Sequence, residues 1–336
     1  MKASGQGPLL SPEVWVDVVN EARRAPSVHN IQPARFRHVA EGVIELHANP
    51  GSNLPVADPT GQDVRISLGA SCEGLGIALS TRGFRVEAVE LRRPASSLVA
   101  TIVFGAGGVP DRLAPHVSHR ATWRGRFEPA SQTALDALSE CARNQSAVLV
   151  RDHRSLAMVA RLMGPSGPSF TVEDRYWRET WTWLRLSPAH PMWNRDGLNG
   201  EALHLSALGR AGARLFMSPT VFGTLRTLGL AQALVSEEPQ VKSASALLVL
   251  VAPDTEDPFE AGRRFYRIWL EVTAQGLALC PMSVLADAPE TQAALRSLWK
   301  VPSGRRIVNV LRIGRAPAQN AGALTARIPA EELVLR

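Results

Sequence analysis

The segment Ala22–Phe36, ARRAPSVHNIQPARF, places Ser27, His29, Asn30 and Gln32 between Pro26 and Pro33. Four hydrogen-bonding side chains within six residues, pinned by two prolines, form a stiff polar loop. Such a loop can aim donors and acceptors at the edge of a planar heteroaromatic ring. It can equally be a helix exit that satisfies its own backbone. A second segment, HRATWRGRF, spaces Arg120, Thr122 and Arg124 at alternate positions. In an extended stretch alternate side chains point one way. Two guanidinium forks and a hydroxyl can then converge on one anion, and a phosphate monoester suits them best. The competing reading of this segment is a solvated basic stretch.

Other motifs fall short of chemistry. FGAGGVP follows a strand pattern, but a GxGxxG match from Gly105 needs glycine where Pro110 stands. GPSGPS (164–169) lacks the Gly-Lys-Ser/Thr of a phosphate loop and reads as a turn, and there is no GxSxG elbow. His116 and His119 form an HxxH without acids or cysteines nearby, so no metal site is expected. Cys72, Cys141 and Cys280 lie far apart, which gives no disulfide framework and suits a reducing cytoplasm.

The elements that must hold these segments recur along the chain. Ser11-Pro12-Glu13 is a helix start, followed by Trp15, Val18 and Ala22 on one stripe. Ser131 opens a second helix, with Leu135, Leu138 and Ala142 at the same spacing. The first helix should end at Arg24, since Ala25 precedes a proline. Two mostly apolar helices follow, one carrying Gly69 and Gly83, the other Gly262 and Gly276. Each leads to a β-type run ending in glycine, at Gly105 and Gly314. Further strands are expected at Val43–His47, Val86–Leu91, Ala147–Val150 and Ala246–Val251.

The fold class is therefore α+β, with two similar α/β halves fused in one chain as an intrachain pseudo-dimer. The division falls at the Gly/Pro-rich break, giving halves of 1–112 and 113–336. The second half carries an insertion at about 155–243, with Trp177, Trp181, Trp183 and Trp193. It reads as a lid, an acceptor pocket, or helices packed on the core. A ligand site belongs at the seam between the halves.

Composition sets the outer bounds. The chain has 336 residues, 45% hydrophobic and 20% charged, an ordinary globular balance. No run of eighteen apolar residues appears, and the start lacks a secretory pattern, so no membrane span and a cytoplasmic location are expected. The net charge of +6 comes from dispersed arginines rather than a basic arm. That favours small phosphate-bearing ligands over nucleic acid.

In order along the chain, APSVHNIQP, DPTGQDVRISLGASCEGLGIALSTRGF, RATWR, WTWLRLSP, GLALCPMSVLAD and VLRIGRAP resemble the nitroreductase family, in its tandem two-halves branch. The resemblance covers nearly the whole chain, and the APSxHNxQP string is its specific part. It implies an FMN cofactor between the halves and NADH or NADPH as electron donor. It also implies a small-molecule electron acceptor. Carried over residue by residue, Arg120, Thr122 and Arg124 match the arginine–hydroxyl–arginine motif that holds the FMN phosphate. Pro26, Ser27, Asn30 and Gln32 match the loop near the isoalloxazine and ribityl, with His29 inside it. Arg327 matches a basic residue near the C-terminus that also reaches the phosphate. Ala34 stands where the family often has tryptophan.

The polar loop occurs only in the first half and the arginine motif only in the second. One FMN per chain is therefore expected, built from 26–33 and 120–124, in a chain that can work as a monomer. Flavin N5 would carry the hydride, with no obligatory side-chain catalyst. Two other functions stay open: a tailoring oxidoreductase for one metabolite, and a non-catalytic flavin-storage protein.

Overall fold

The computed structural model describes residues 10–92, 96–165, 167–317 and 326–336. Ser11 sits in extended backbone, and its Oγ accepts the Val14 N–H, which starts α1 (Pro12–Ala22). Ser131 does the same for α3 (Gln132–Asn144) through the Ala134 N–H. Both caps satisfy a helix N–H that otherwise has no partner. Replacing Ser11 by alanine should cost about 1 kcal/mol, read as a lower urea midpoint. α1 stops at Ala22, earlier than expected, because Arg23 already caps it.

Between these helices the first half builds β1 (Ala34–Ala40), β2 (Val43–Ala48), α2 (Gln62–Ser80), β3 (Phe84–Leu91) and β4 (Leu98–Ala106). The second half builds β5 (Ala147–Val150), then after the insertion β8 (Ala246–Pro253), α10 (Pro258–Ala274), β9 (Ala278–Pro281) and β10 (Arg305–Gly314). The two four-stranded sheets have orders β1-β2-β4-β3 and β5-β8-β10-β9, antiparallel throughout. Element by element these are the same topology. The two halves read from the sequence are therefore real structural repeats.

The insertion enters between β5 and β8, where the first half has only the turn Glu41–Gly42. It contains α4 (His153–Leu162), α5 (Asp174–Thr182), α6 (Ala207–Phe216), α7 (Pro219–Thr227), α8 (Ala231–Leu234) and α9 (Glu238–Lys242). A short parallel pair, β6 (Leu184–Arg185) with β7 (Leu198–Asn199), ties its middle. Trp177 stacks on Phe222 at 3.8 Å and 12°, and Trp193 is buried, so these two rings are packing residues. After β9 come α11 (Val284–Asp287) and α12 (Pro289–Leu298), and α13 (Ala330–Leu333) lies near the end. Ile328, Ala330 and Leu333 return to the core of the first half. The GPSGPS segment includes Ser166, which lies outside the described residues.

α2 and α10 form the seam. A Cβ on Gly69 would collide with the Phe259 carbonyl, and one on Gly262 with the Ile66 carbonyl. In each helix the glycine lies three residues after the carbonyl its counterpart touches. That reciprocity is the local signature of a two-fold relation between the halves. The absence of side chains at both points lets the helices cross close enough to bury Phe265, Tyr266 and Trp269 beside α2.

Candidate functional site

The loop after α1 is strained. His29, Asn30 and Gln32 have φ of 44°, 56° and 48°, a region that L-residues seldom adopt. The surroundings hold it there. Ser27 Oγ accepts the Gln32 N–H at 3.0 Å, and Ser67 Oγ of α2 accepts the Val28 N–H at 3.1 Å. Asn30 is a junction. Its Nδ2 donates to the Gly197 and Ala326 carbonyls, and its Oδ1 accepts from Arg327 at 2.7 Å. One side chain thus ties the loop to the insertion and to the C-terminal segment.

A cavity of about 250 Å³ opens at the seam. Pro26, Ser27, His29 and Asn30 line it from the first half; Arg120, Thr122 and Arg124 from the second; and Arg327 from the end of the chain. The structure brings these expected residues together. Gln32 is the exception. Its amide donates to Arg195 O at 2.7 Å and accepts the Ile328 N–H at 2.9 Å, so it clamps neighbouring segments outside the cavity. The cause is long-range: the Arg195 carbonyl and the Ile328 N–H draw the Gln32 side chain toward the insertion and the C-terminal segment.

The cationic end is the most unusual part. Arg120 is 6% exposed, stacks on the Trp269 ring at 4.6 Å, and uses Nε on the Arg24 carbonyl. Its Nη1 is buried with no partner. Arg327 spends its fork on the Arg23 carbonyl and Asn30. No carboxylate pairs with either among the described residues. Burial first, then neighbouring guanidiniums, pulls Arg120 down to about 10 and Arg327 to about 9. Both stay charged at neutral pH, and each charge is held at a cost. Tyr266 Oη, near the same group, is also unpartnered. A buried and a half-buried cation with a buried hydroxyl, and no counter-ion among the described residues, fit an anion with several oxygens.

Arg124 donates to the Ala202 carbonyl of the insertion, and its own carbonyl is held by the fully buried Arg312. Trp123 N–H bonds to Leu279 O, which docks the 120–124 segment against β9. Gly197, Leu198 and Ala202 close the cavity from the insertion side. The insertion therefore does cover the site, through this segment. None of Trp177, Trp181, Trp183 and Trp193 lines the cavity.

The sequence reading missed Asp63 and Ser67 of α2, Phe265 and Trp269 of α10, and Ser283 and Asn309, all of which line the cavity. Their helices were legible as buried, but nothing in a buried stripe says which residues face a void. His29 Nδ1 is buried without a partner, and burial, then Arg124, pushes the ring down to about 4. The unfolded chain then binds the extra proton between roughly pH 6.5 and 4. The His29 contribution to stability is full above pH 6.5 and is lost as the pH drops toward 4. Because burial raises Asp63 and gives it the opposite slope over this range, the His29 part is read as a difference: in thermal melts the wild type should lose stability relative to His29→Asn, which tolerates the positive φ, as the pH drops from 6.5 toward 4.

A Mycobacterium tuberculosis protein with the provisional name NAD(P)H nitroreductase is 26% identical to the chain over 338 residues, covering 93% of this chain and 90% of the relative. A second protein of that organism, uncharacterised, is 26% identical over 341 residues with the same coverage. The chain is nitroreductase-like. The similarity runs across nine-tenths of both lengths, so it includes both halves of this chain. Solved structures with some likeness include the FMN and NADPH-dependent nitroreductase NfnB of Sphigopyxis sp. strain HMH (16% identical, TM-score 0.36, 65% of this chain and 94% of that one). Nitroreductase A of Vibrio parahaemolyticus is another (12%, TM-score 0.38, 67% and 75%). No family model matches the nitroreductase-like chain.

Proposed function

We propose that the chain is an FMN-dependent oxidoreductase that passes hydride from NADPH or NADH to an electron-poor small molecule, with one FMN in the seam cavity. The halves are taken as 1–112 and 113–336. The observation that carries this reading is the carboxylate-free pair of the buried Arg120 and the half-buried Arg327, with an unpartnered Arg120 Nη1 in a cavity walled by both halves. It suits a cofactor that ends in a phosphate. The similarity to a named NAD(P)H nitroreductase supports the same choice.

Arg120 and Arg327 would neutralise the phosphate, with Arg124 and the Thr122 hydroxyl completing the cradle. Phe265 and Trp269 supply an apolar wall for a flat ring. Bound FMN would accept two electrons as hydride and give them up again. Asn30 acts by holding the cover segment and Arg327 in place, since its own polar atoms are already used. Gly197 and Leu198 limit water and solute entry.

Purified protein, reconstituted with FMN if needed, should show flavin absorbance at one equivalent per chain. The colour should bleach when NADPH is added without oxygen. A colourless chain that cannot be reconstituted ends this reading. A second reading, flavin storage, is favoured by the cover itself, which Asn30 and Arg124 bond directly. A yellow protein that NADPH does not bleach would select it.

A further inference from the structure

Among the described residues ten large apolar side chains are exposed, and six of them fall between Leu208 and Leu234, so the exposure belongs to one part of the insertion rather than to the surface at large. Helix α6 is turned inside out. Leu208, Ala211 and Leu215 share one face by their spacing, and all three are exposed, Leu208 at 83%. Arg210 packs the other way: its guanidinium lies 5.9 Å over the Trp193 ring and donates to the Leu205 carbonyl. No residue of α6 is buried. Helices α7 and α8 do have an inner face, where Phe222 and Ala231 pack with Trp177. The turn that joins them carries Leu228 and Leu230 outward on either side of Gly229, which supplies the positive φ of 74°. Leu228 is 65% exposed, so these leucines stand out as separate points and do not line a groove. The charges beside them have one sign. From Ala202 to Ser236 there is no Asp or Glu, but there are Arg210, Arg214 and Arg226. Arg214 and Arg226 are exposed. Asp174, the carboxylate that feels Arg226, is already paired with Arg178.

We propose that α6 and the α7–α8 turn dock on the surface of an anionic lipid bilayer. Leu208, Leu215, Leu228 and Leu230 enter the boundary between headgroups and acyl chains, while Arg214 and Arg226 stay at headgroup depth against the lipid phosphates. No helix among the described residues is long and apolar enough to cross a membrane, so the contact is with one face of the bilayer. Charge selects this partner over a second copy of the chain. A second copy would set Arg214 and Arg226 against their own kind, with no acid in the stretch to answer them. A fluid surface also takes up protruding leucines without a matching groove. The docking face adjoins the seam site. Ala202 lines the cavity, accepts from Arg124 and lies just before Ser206, the cap of α6. Docking therefore sets the cover of the cavity beside the membrane.

The test is co-sedimentation of the full chain, carrying FMN where it takes the cofactor up, with two kinds of vesicle: phosphatidylcholine alone, and phosphatidylcholine with phosphatidylglycerol in equal parts. The chain should pellet with the anionic vesicles and stay in solution with the neutral ones, and added salt should weaken the binding. Leu208→Ser with Leu215→Ser should lower the partition about 30-fold or more, because two leucines lose the burial that the bilayer gives them. Arg214→Gln with Arg226→Gln should lower it about 20-fold on the anionic vesicles. Val109→Ser, at a side chain 81% exposed outside the insertion, should change nothing. All of these side chains are exposed, so thermal melts should match the parent, and a lost partition then reads as lost docking. Should the leucine pair melt early, the arginine pair and the salt dependence decide alone. Equal pelleting with both kinds of vesicle, no pelleting, or variants that bind as the parent does would overturn the proposal. So would a parent that pairs with itself in sedimentation equilibrium, comes apart in the leucine variant and ignores vesicles, which assigns the face to a second copy. The readout involves no flavin, so a chain that takes up no FMN removes the oxidoreductase reading and leaves the docking face standing.

Discussion

Replacing Arg120 by methionine should produce a folded protein that binds FMN at least about 100-fold more weakly while keeping its affinity for riboflavin. The phosphate is the only difference between those two ligands, so their ratio isolates what Arg120 does. A hydrogen bond to a charged group is worth roughly 1.5–3 kcal/mol. Losing one bond and its charge therefore costs about 3 kcal/mol, or roughly two powers of ten. Folding should change far less. The guanidinium loses a stacking contact on Trp269 and a bond to the Arg24 carbonyl. Against that, methionine keeps an apolar stem and removes a buried charge with no counter-ion beside Arg327. These terms oppose each other, so cofactor-free stability should stay within about 1–2 kcal/mol of the parent. Arg85→Met, at a side chain 63% exposed, controls for net charge. Isothermal titration with both flavins decides the matter. Equal weakening toward riboflavin and FMN would place Arg120 away from the phosphate.

The sequence made the positions of the site residues legible because their spacing is local. Pro26 to Asn30 and Arg120 to Arg124 are short segments whose conformation is set by prolines, small side chains and alternation. Their meeting across the seam followed from the repeat, once α1 with α3 and α2 with α10 were recognised as pairs. What stayed hidden depends on long-range contacts. Gln32 looked equivalent to Asn30, yet its direction is fixed by Arg195 and Ile328, 163 and 296 residues away. The tryptophans of the insertion looked like a stacking surface, yet Trp177 found Phe222 and the Met217 carbonyl. Asp63 carries no motif at all. Its place in the cavity wall comes from the packing of α2 against α10, which no local pattern encodes.

The seam itself offers the second large effect. Gly69→Ala should destabilise the chain by about 3 kcal/mol or more, because the new methyl meets a backbone carbonyl that cannot rotate away. Gly76→Ala, seven residues further along the same helix, is the control. Its Cβ would lie 3.5 Å from Val86, an ordinary contact. There the gain in helix propensity should be neutral or stabilising by up to about 1 kcal/mol. The contrast removes propensity as an explanation and leaves the crossing distance. Gly262→Ala should behave like Gly69→Ala, since it meets the Ile66 carbonyl in the reciprocal position. The double variant should cost clearly less than the sum of the two. One outward shift of α2 from α10 relieves both collisions, so the second methyl enters space the first has already opened. Full additivity in guanidinium unfolding would mean that each glycine relaxes its own surroundings separately. FMN affinity should fall in step with the separation, because Ile66, Ser67, Phe265 and Trp269 line the cavity from these same two helices.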